Sequence, residues 1–251
     1  MNKDLGSDQR SRYLGYIRNK YLFIAVCIVA LIIALGISLD TGASKIGIVN
    51  VFQYIWDHIT GVTYEYYSDE WFDDYLIWNH RLPRALFAIL AGAALAIAGA
   101  CMQSVMNNPL ADPYTTGISS GAQFGVAVSI ILGFNLLASP AMSQAGTTIN
   151  AFIFALLPTI LILLISPRSR SNSSTLILIG TAVSYMFNSF NMLLMLITDE
   201  GSMSEVYTML VGSLGSISWS DFELTLVIVV ICSTVIVFLS NKLNILALED
   251  N

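Results

Sequence analysis

Uncharged apolar runs recur along this chain at lengths that suit a bilayer. Six can be marked, near 21–39, 85–105, 114–138, 148–165, 175–198 and 222–240, the last with Glu223 at its edge. A helix needs about 20 apolar residues to cross a hydrocarbon core, and only helices or closed barrels satisfy their backbone polar groups there. The pattern predicts an all-α, polytopic transmembrane helix bundle with six spans, preceded by a tail over 1–20 and occupying 21–251. The first run follows a basic tail as a signal peptide would. Its length exceeds a usual signal core and no small-residue cleavage site follows Leu39, so it reads as a retained anchor.

The segment from Asn79 to Ala122 carries the most local information. No charge lies between Arg84 and Asp112, and Ala88, Gly92, Ala96 and Ala100 recur every fourth residue. One face of that helix has almost no side-chain bulk, which lets a neighbouring helix approach closely. The turn Asn107-Asn108-Pro109-Leu110-Ala111-Asp112-Pro113 ends it, and Asp112 with Pro113 suits the N-cap and first turn of the next helix. Gly117, Gly121 and Gly125 then form a second close-packing ridge.

These same residues carry a resemblance. RLPR, the small-residue helix, NPLADP and the following GISSGA are similar, in type and spacing over about forty positions, to the FecCD-type (BtuC-like) permeases, the membrane subunits of ABC importers for iron siderophores, haem and cobalamin. A second block, Met209 to Leu214 followed by Ser218-Trp219-Ser220-Asp221, and the ending Leu243 to Leu248 extend it. The resemblance implies a ten-span fold with short cytoplasmic helices after the point matched by Leu246 to Asp250. This chain stops at Asn251 and reads as an amino-terminal portion.

Composition and charge then set the orientation and remove several classes. Of the 251 residues, 55% are hydrophobic and 11% charged, and the net charge is -6. A surface for nucleic acid needs clustered Lys and Arg that no loop supplies. Lys3, Arg10, Arg12, Arg18, Lys20, Arg168, Arg170 and Lys242 all fall on one side of the predicted spans, whereas most carboxylates fall on the other. The positive-inside rule makes the first side cytoplasmic, so the amino terminus is inside and segments 40–84 and 199–221 are outside. No charge sits well inside a span, as proton and sodium relays usually require, and no GxxxxGK[ST] phosphate loop is present. Cys27, Cys101 and Cys232 lie inside spans at no metal or disulfide spacing and read as packing residues. No catalytic group, cofactor or metal ion is expected, and transport energy has to come from a separate ATPase subunit.

Each candidate site has a bland rival. Arg81 and Arg84, placed against the charge rule, hold lipid headgroups or the acidic 65–74 loop on one reading. On the other, which the resemblance implies, they receive carboxylates of a substrate-binding protein. His80 beside them is an interfacial side chain rather than a haem ligand. Asn108 and Leu110 belong to a helix-linking turn, and the resemblance makes them a cytoplasmic gate, with Ser171 to Ser174 in the place of a second gate. Thr181, Ser184, Asn188 and Asn191 share one helical face, for interhelical hydrogen bonds worth about 0.6 kcal/mol each or, by resemblance, for lining a translocation path at Ser184 and Asn188. Ser204 to Gly212 reads as a short outer helix, interfacial or in contact with the binding protein.

The combined reading is a permease subunit in a prokaryotic inner or plasma membrane, moving an iron siderophore, haem or cobalamin-type substrate inward. By resemblance its partners are a second permease subunit, identical or paralogous, two cytoplasmic ATPases and an extracytoplasmic binding protein. An ion-coupled secondary transporter is the alternative, and a membrane-embedded enzyme or a non-transporting assembly subunit stands third. With the native cysteines replaced, a cysteine at Ser68 is expected to react with an impermeant thiol reagent from outside and one at Ser169 is not; the opposite labelling reverses the orientation.

Overall fold

The computed structural model describes residues 3–42, 45–136, 143–165 and 173–248, and among these every regular element is helical. The helices are α1 (Lys3–Asp40), α2 (Ile48–Thr60), α3 (Asp69–Leu76), a π-helical turn (Ile77–Arg81) running into α4 (Leu82–Val105), α5 (Ile118–Leu132), α6 (Ser143–Ile165), α7 (Ser173–Leu196), α8 (Glu200–Val211) and α9 (Trp219–Leu248). Among the described residues five stretches are long and apolar enough to cross a membrane: Tyr13–Asp40, Asp69–Val105, Gly146–Ile165, Ser174–Leu196 and Trp219–Leu243. The run expected over 114–138 is the exception. Gly117 (φ 76°) and Gly133 (φ 63°) take left-handed conformations at its two ends and confine the helix to Ile118–Leu132. At 1.5 Å per residue it covers about 22 Å, short of a hydrocarbon core.

Two compact units emerge, one of Met1–Ala88 with Ile217–Phe222, the other of Ile89–Ser216 with Glu223–Asn251. In the first, Leu39, Ile46, Val51, Ile77, Leu82 and Ala85 form a core joining the end of α1, α2, the π turn and the start of α4. Asp40 closes the connection between α1 and α2 by accepting the Gly47 amide at 2.7 Å. Ser68 caps α3 by accepting the Trp71 amide, with Asp69 and Glu70 in the first turn against the positive helix end.

Pro83 follows the π turn and leaves one of its carbonyls without a backbone donor. Leu82 donates to Ile77 five residues back, so the next donor in that register would be Pro83 to Trp78, and proline has no N–H. Trp219 supplies it instead, its indole Nε1 donating to the Trp78 carbonyl at 2.8 Å. One extra residue in the turn also rotates the following side chains by about 100° relative to a regular helix.

In the second unit the glycine ridge of α5 packs as its spacing predicts. A Cβ on Gly121 would lie 2.6 Å from Pro158 Cγ and 2.7 Å from the Phe154 carbonyl; one on Gly125 would lie 2.7 Å from the Asn150 carbonyl and 2.8 Å from Phe154 Cβ. Asn150, Phe154 and Pro158 step by four along α6, so the two helices mesh one turn to one turn. Pro158 also removes the donor that the Phe154 carbonyl would have inside α6, and the Gly121 Cα takes the vacant approach to that oxygen. Fully buried Asn150 ties down the exit of α5 by donating to the Phe134 carbonyl and accepting from the Leu136 amide.

Other local expectations shift. The Ala88, Gly92, Ala96 and Ala100 edge of α4 is exposed, and a Cβ on Gly92 would meet nothing within 4 Å. Cys27 and Cys232 are exposed on their spans rather than packed inside. The short helix expected over Ser204 to Gly212 is α8, which begins at Glu200 with Asp199 as its cap in place of Ser204, because the Asp199 carboxylate accepts the Ser202 amide at 3.0 Å. That hydrogen bond, followed by one from the Ser202 side chain, lowers the Asp199 pKa. The carbon added by Gly121→Ala has no room, and overpacking of this kind costs about 1–3 kcal/mol. Thermal unfolding of the purified protein should therefore fall for Gly121→Ala and stay unchanged for Gly92→Ala; equal midpoints would mean that the ridge does not hold α5 to α6.

Candidate functional site

Arg81 comes from the end of the π turn and is turned inward. Only 9% exposed, it donates through Nη1 to the Leu39 carbonyl at 2.6 Å and the Asp40 carbonyl at 3.2 Å. Those carbonyls end α1, where a helix has unsatisfied acceptors and partial negative charge, so a guanidinium there acts as a C-terminal cap. The guanidinium also lies close over Gly42, where a Cβ would fall 2.7 Å from Arg81 Nη2. Arg84, one turn on, is half-buried. The structure thus separates two arginines that sequence reasoning paired.

Around them the segment from α2 to the π turn is aromatic and acidic. His58 bonds both oxygens of Asp74 at 3.0 Å and stacks on Trp78 with ring centroids 4.0 Å apart. His80 lies against the edge of Tyr75 and lines a groove of about 540 Å³ with Asp69, Phe72 and Asp73. No three His, Cys, Asp or Glu side chains among the described residues gather as metal ligands would.

The turn after α4 is built by its own side chains. Asn107 takes φ 42°, and Asn108 accepts the Leu110 amide at 2.9 Å in an Asx turn. Leu110 is left 83% exposed at the tip. Asp112 accepts the Thr115 amide at 2.8 Å, while Thr115 and Thr116 donate back to the Asp112 and Pro113 carbonyls. These bonds close a separate turn. Gly117 interrupts it, and α5 starts at Ile118 rather than at Pro113 as the cap pattern predicts. Residues 171 and 172 of the second candidate gate, and Arg168 and Arg170, lie outside the described residues.

On α7 the polar face divides. Thr181 bonds back to Ile177; Asn191 is buried and donates to the Ser120 carbonyl at 3.4 Å; a Cβ on Gly117 would lie 3.1 Å from Ser184 Oγ. The Ser184 hydroxyl is buried with no hydrogen-bond partner among the described residues. Asn188 is exposed. Gly180, on the same helix, sits against the Thr115 carbonyl and Thr116, bringing α7 directly onto the turn that follows NPLAD. Asn150 and Trp219 complete the framework. Asn150 did not stand out in the sequence, since a lone Asn in a span carries no spacing signal; Trp219 did, within the Ser218–Asp221 block, but nothing there marked it as a donor to Trp78.

A profile of the FecCD transport family matches residues 28–251. The chain belongs to the FecCD transport family. It is 30% identical to the hemin transport system permease protein HmuU of Yersinia pestis over 94% of this chain and 66% of that protein. It is likewise 30% identical to the molybdate import system permease protein MolB of Haemophilus influenzae, over 88% of this chain and 62% of the relative. A solved structure described as an inward-facing conformation of a metal-chelate type ABC transporter superposes with a TM-score of 0.69 and 29% identity, covering 92% of this chain and 66% of that one. The chain therefore spans about two thirds of the length of these relatives. In this FecCD member the RLPR block joins helices before it faces any partner.

Losing a hydrogen bond from a charged donor costs about 1.5–3 kcal/mol. Arg81→Met is expected to lower the unfolding midpoint of the isolated protein by that equivalent. An unchanged midpoint would show that the Leu39 and Asp40 carbonyls do not depend on Arg81.

Proposed function

We propose that this chain serves as the membrane permease of a binding-protein-dependent ABC importer carrying a metal-bearing compound into a prokaryotic cell, with its amino terminus in the cytoplasm. The observation that carries the reading is the family match over residues 28–251. The substrate class is an iron siderophore, haem or cobalamin-type molecule, and the molybdate relative extends the range to a small oxyanion of a metal. Its partners are a second permease subunit, two cytoplasmic ATPases and an extracytoplasmic binding protein.

Within this reading the residues divide their work. Arg84 meets a carboxylate of the binding protein, and Arg81 supports that surface by holding α1 to the start of α4. Exposed Leu110, on the turn shaped by Asn108, closes the cytoplasmic end of the path. Asn188 faces the path from α7, and Ser184 seats that helix on Gly117. Gly180 against Thr115 gives a rigid link by which movement at the turn reaches α7. No step is chemical; the protein offers surfaces that open and close.

The test is uptake into vesicles holding the permease, an ATPase and a binding protein, with labelled iron siderophore, haem, cobalamin and molybdate offered in turn. Accumulation of one of them that needs ATP and stops with vanadate is expected, whereas uptake indifferent to vanadate and abolished by a protonophore would mean a secondary transporter. In the same vesicles Arg84→Glu should weaken binding-protein affinity tenfold or more, about 1.4 kcal/mol, by opposing like charges.

A further inference from the structure

Helix α2 has three faces where a helix on a protein surface has two. Val51, Tyr54, Ile55 and His58 turn toward the first unit, with Val51 fully buried and Tyr54 and Ile55 packed on its core. Asn50, Gln53, Asp57 and Thr60 form a polar face. Between them Ile48, Val49, Phe52, Trp56 and Ile59, at helical spacing, are 45% to 80% exposed. Five large apolar side chains in one stripe are more than the scattered exposed residues of an ordinary surface.

The position of the stripe says what covers it. A Cβ on Gly36 of α1 would lie 3.8 Å from Ile48 Cγ2 and 3.8 Å from Phe52 Cε2. Gly36 is inside the uncharged run that ends at Asp40, so α2 folds back beside the last turn of a membrane-crossing helix. Ile33 and Ile37 on either side of Gly36 in sequence are exposed on that same helix. The bond from the Gly47 amide to Asp40 fixes this fold-back, and Arg81 fixes the end of α1 beneath it.

We infer that α2 lies in the membrane interface at the end of α1, with the Ile48, Val49, Phe52, Trp56 and Ile59 stripe in the acyl boundary and the Asn50, Gln53, Asp57 and Thr60 face in water. Trp56, between the apolar and polar faces, sits where an indole favours the headgroup level. Surface-lying helices commonly carry Lys and Arg for anionic lipid. This helix has none, so the occupant is the hydrocarbon boundary of any bilayer rather than a particular headgroup. The inference stands apart from the transport reading and needs only that α1 crosses the membrane.

The chain in phosphatidylcholine vesicles, spin-labelled singly at Phe52, Ile59 or Gln53, gives the test. The ratio of oxygen to water-soluble nickel-chelate accessibility is expected to be several-fold higher at Phe52 and Ile59 than at Gln53. Equal ratios would place the stripe in water, and labels at Phe52 and Ile59 shielded from both reagents would mean that protein covers it; either result overturns the inference. Replacing a third of the lipid with phosphatidylglycerol should leave the ratios unchanged, and depth that appears only with the anionic lipid would also overturn it. Because a label can disturb packing, brominated acyl chains provide a second reading: they should quench the native protein more than Trp56→Phe, and equal quenching would contradict burial of Trp56.

Discussion

Backbone contact between α5 and α6 is the constraint on which the second unit depends. Lipid is as apolar as leucine, so burying large side chains gains little inside a bilayer, and close approach must supply dispersion and weak Cα–H···O contacts instead. Gly121 and Gly125 remove the atoms that would prevent it. Pro158 leaves the Phe154 carbonyl without its helical donor, and a Cβ on Gly121 would lie 2.7 Å from that oxygen. The same economy places Gly180 on Thr115 and Gly117 on Ser184, so one set of glycines fixes α5, α6 and α7 around the turn that follows α4.

The first unit is held by different means. The π turn ahead of Pro83 leaves one carbonyl for Trp219, and Arg81 at its end reaches the carbonyls that end α1. A charged side chain buried against two carbonyls is stable because those acceptors lie at a helix C-terminus, which is already partly negative. These internal bonds hold the end of α1, the π turn and the start of α4 together.

The candidate sites show the limits of reading residues in pairs. Arg81 and Arg84 look alike in RLPR, yet one caps α1 and the other is half-buried one turn away. Ser184 and Asn188 share a helical face, yet one is packed on Gly117 and the other is exposed. For Ser184 and Asn188 the four-residue spacing does give a shared helical edge, whereas the π turn ends the regular spacing at Arg81. What lay opposite that face was a segment far along the chain, and no local pattern carries its identity.

Sequence alone determined the membrane class, the five long apolar helices and the glycine ridge of α5, because bilayer thickness, backbone hydrogen bonding and four-residue periodicity act locally and leave marks in composition and spacing. It also led to the family, through NPLADP and its neighbours. Only the tertiary structure decided that the third apolar run is a fifteen-residue helix, with Gly117 and Gly133 in left-handed conformations at its two ends. It alone set Trp219 on the Trp78 carbonyl, Asn150 on the exit of α5 and α2 against Gly36. Those pairings join residues distant in sequence, and their partners are chosen by packing geometry, which exists only once the chain has folded.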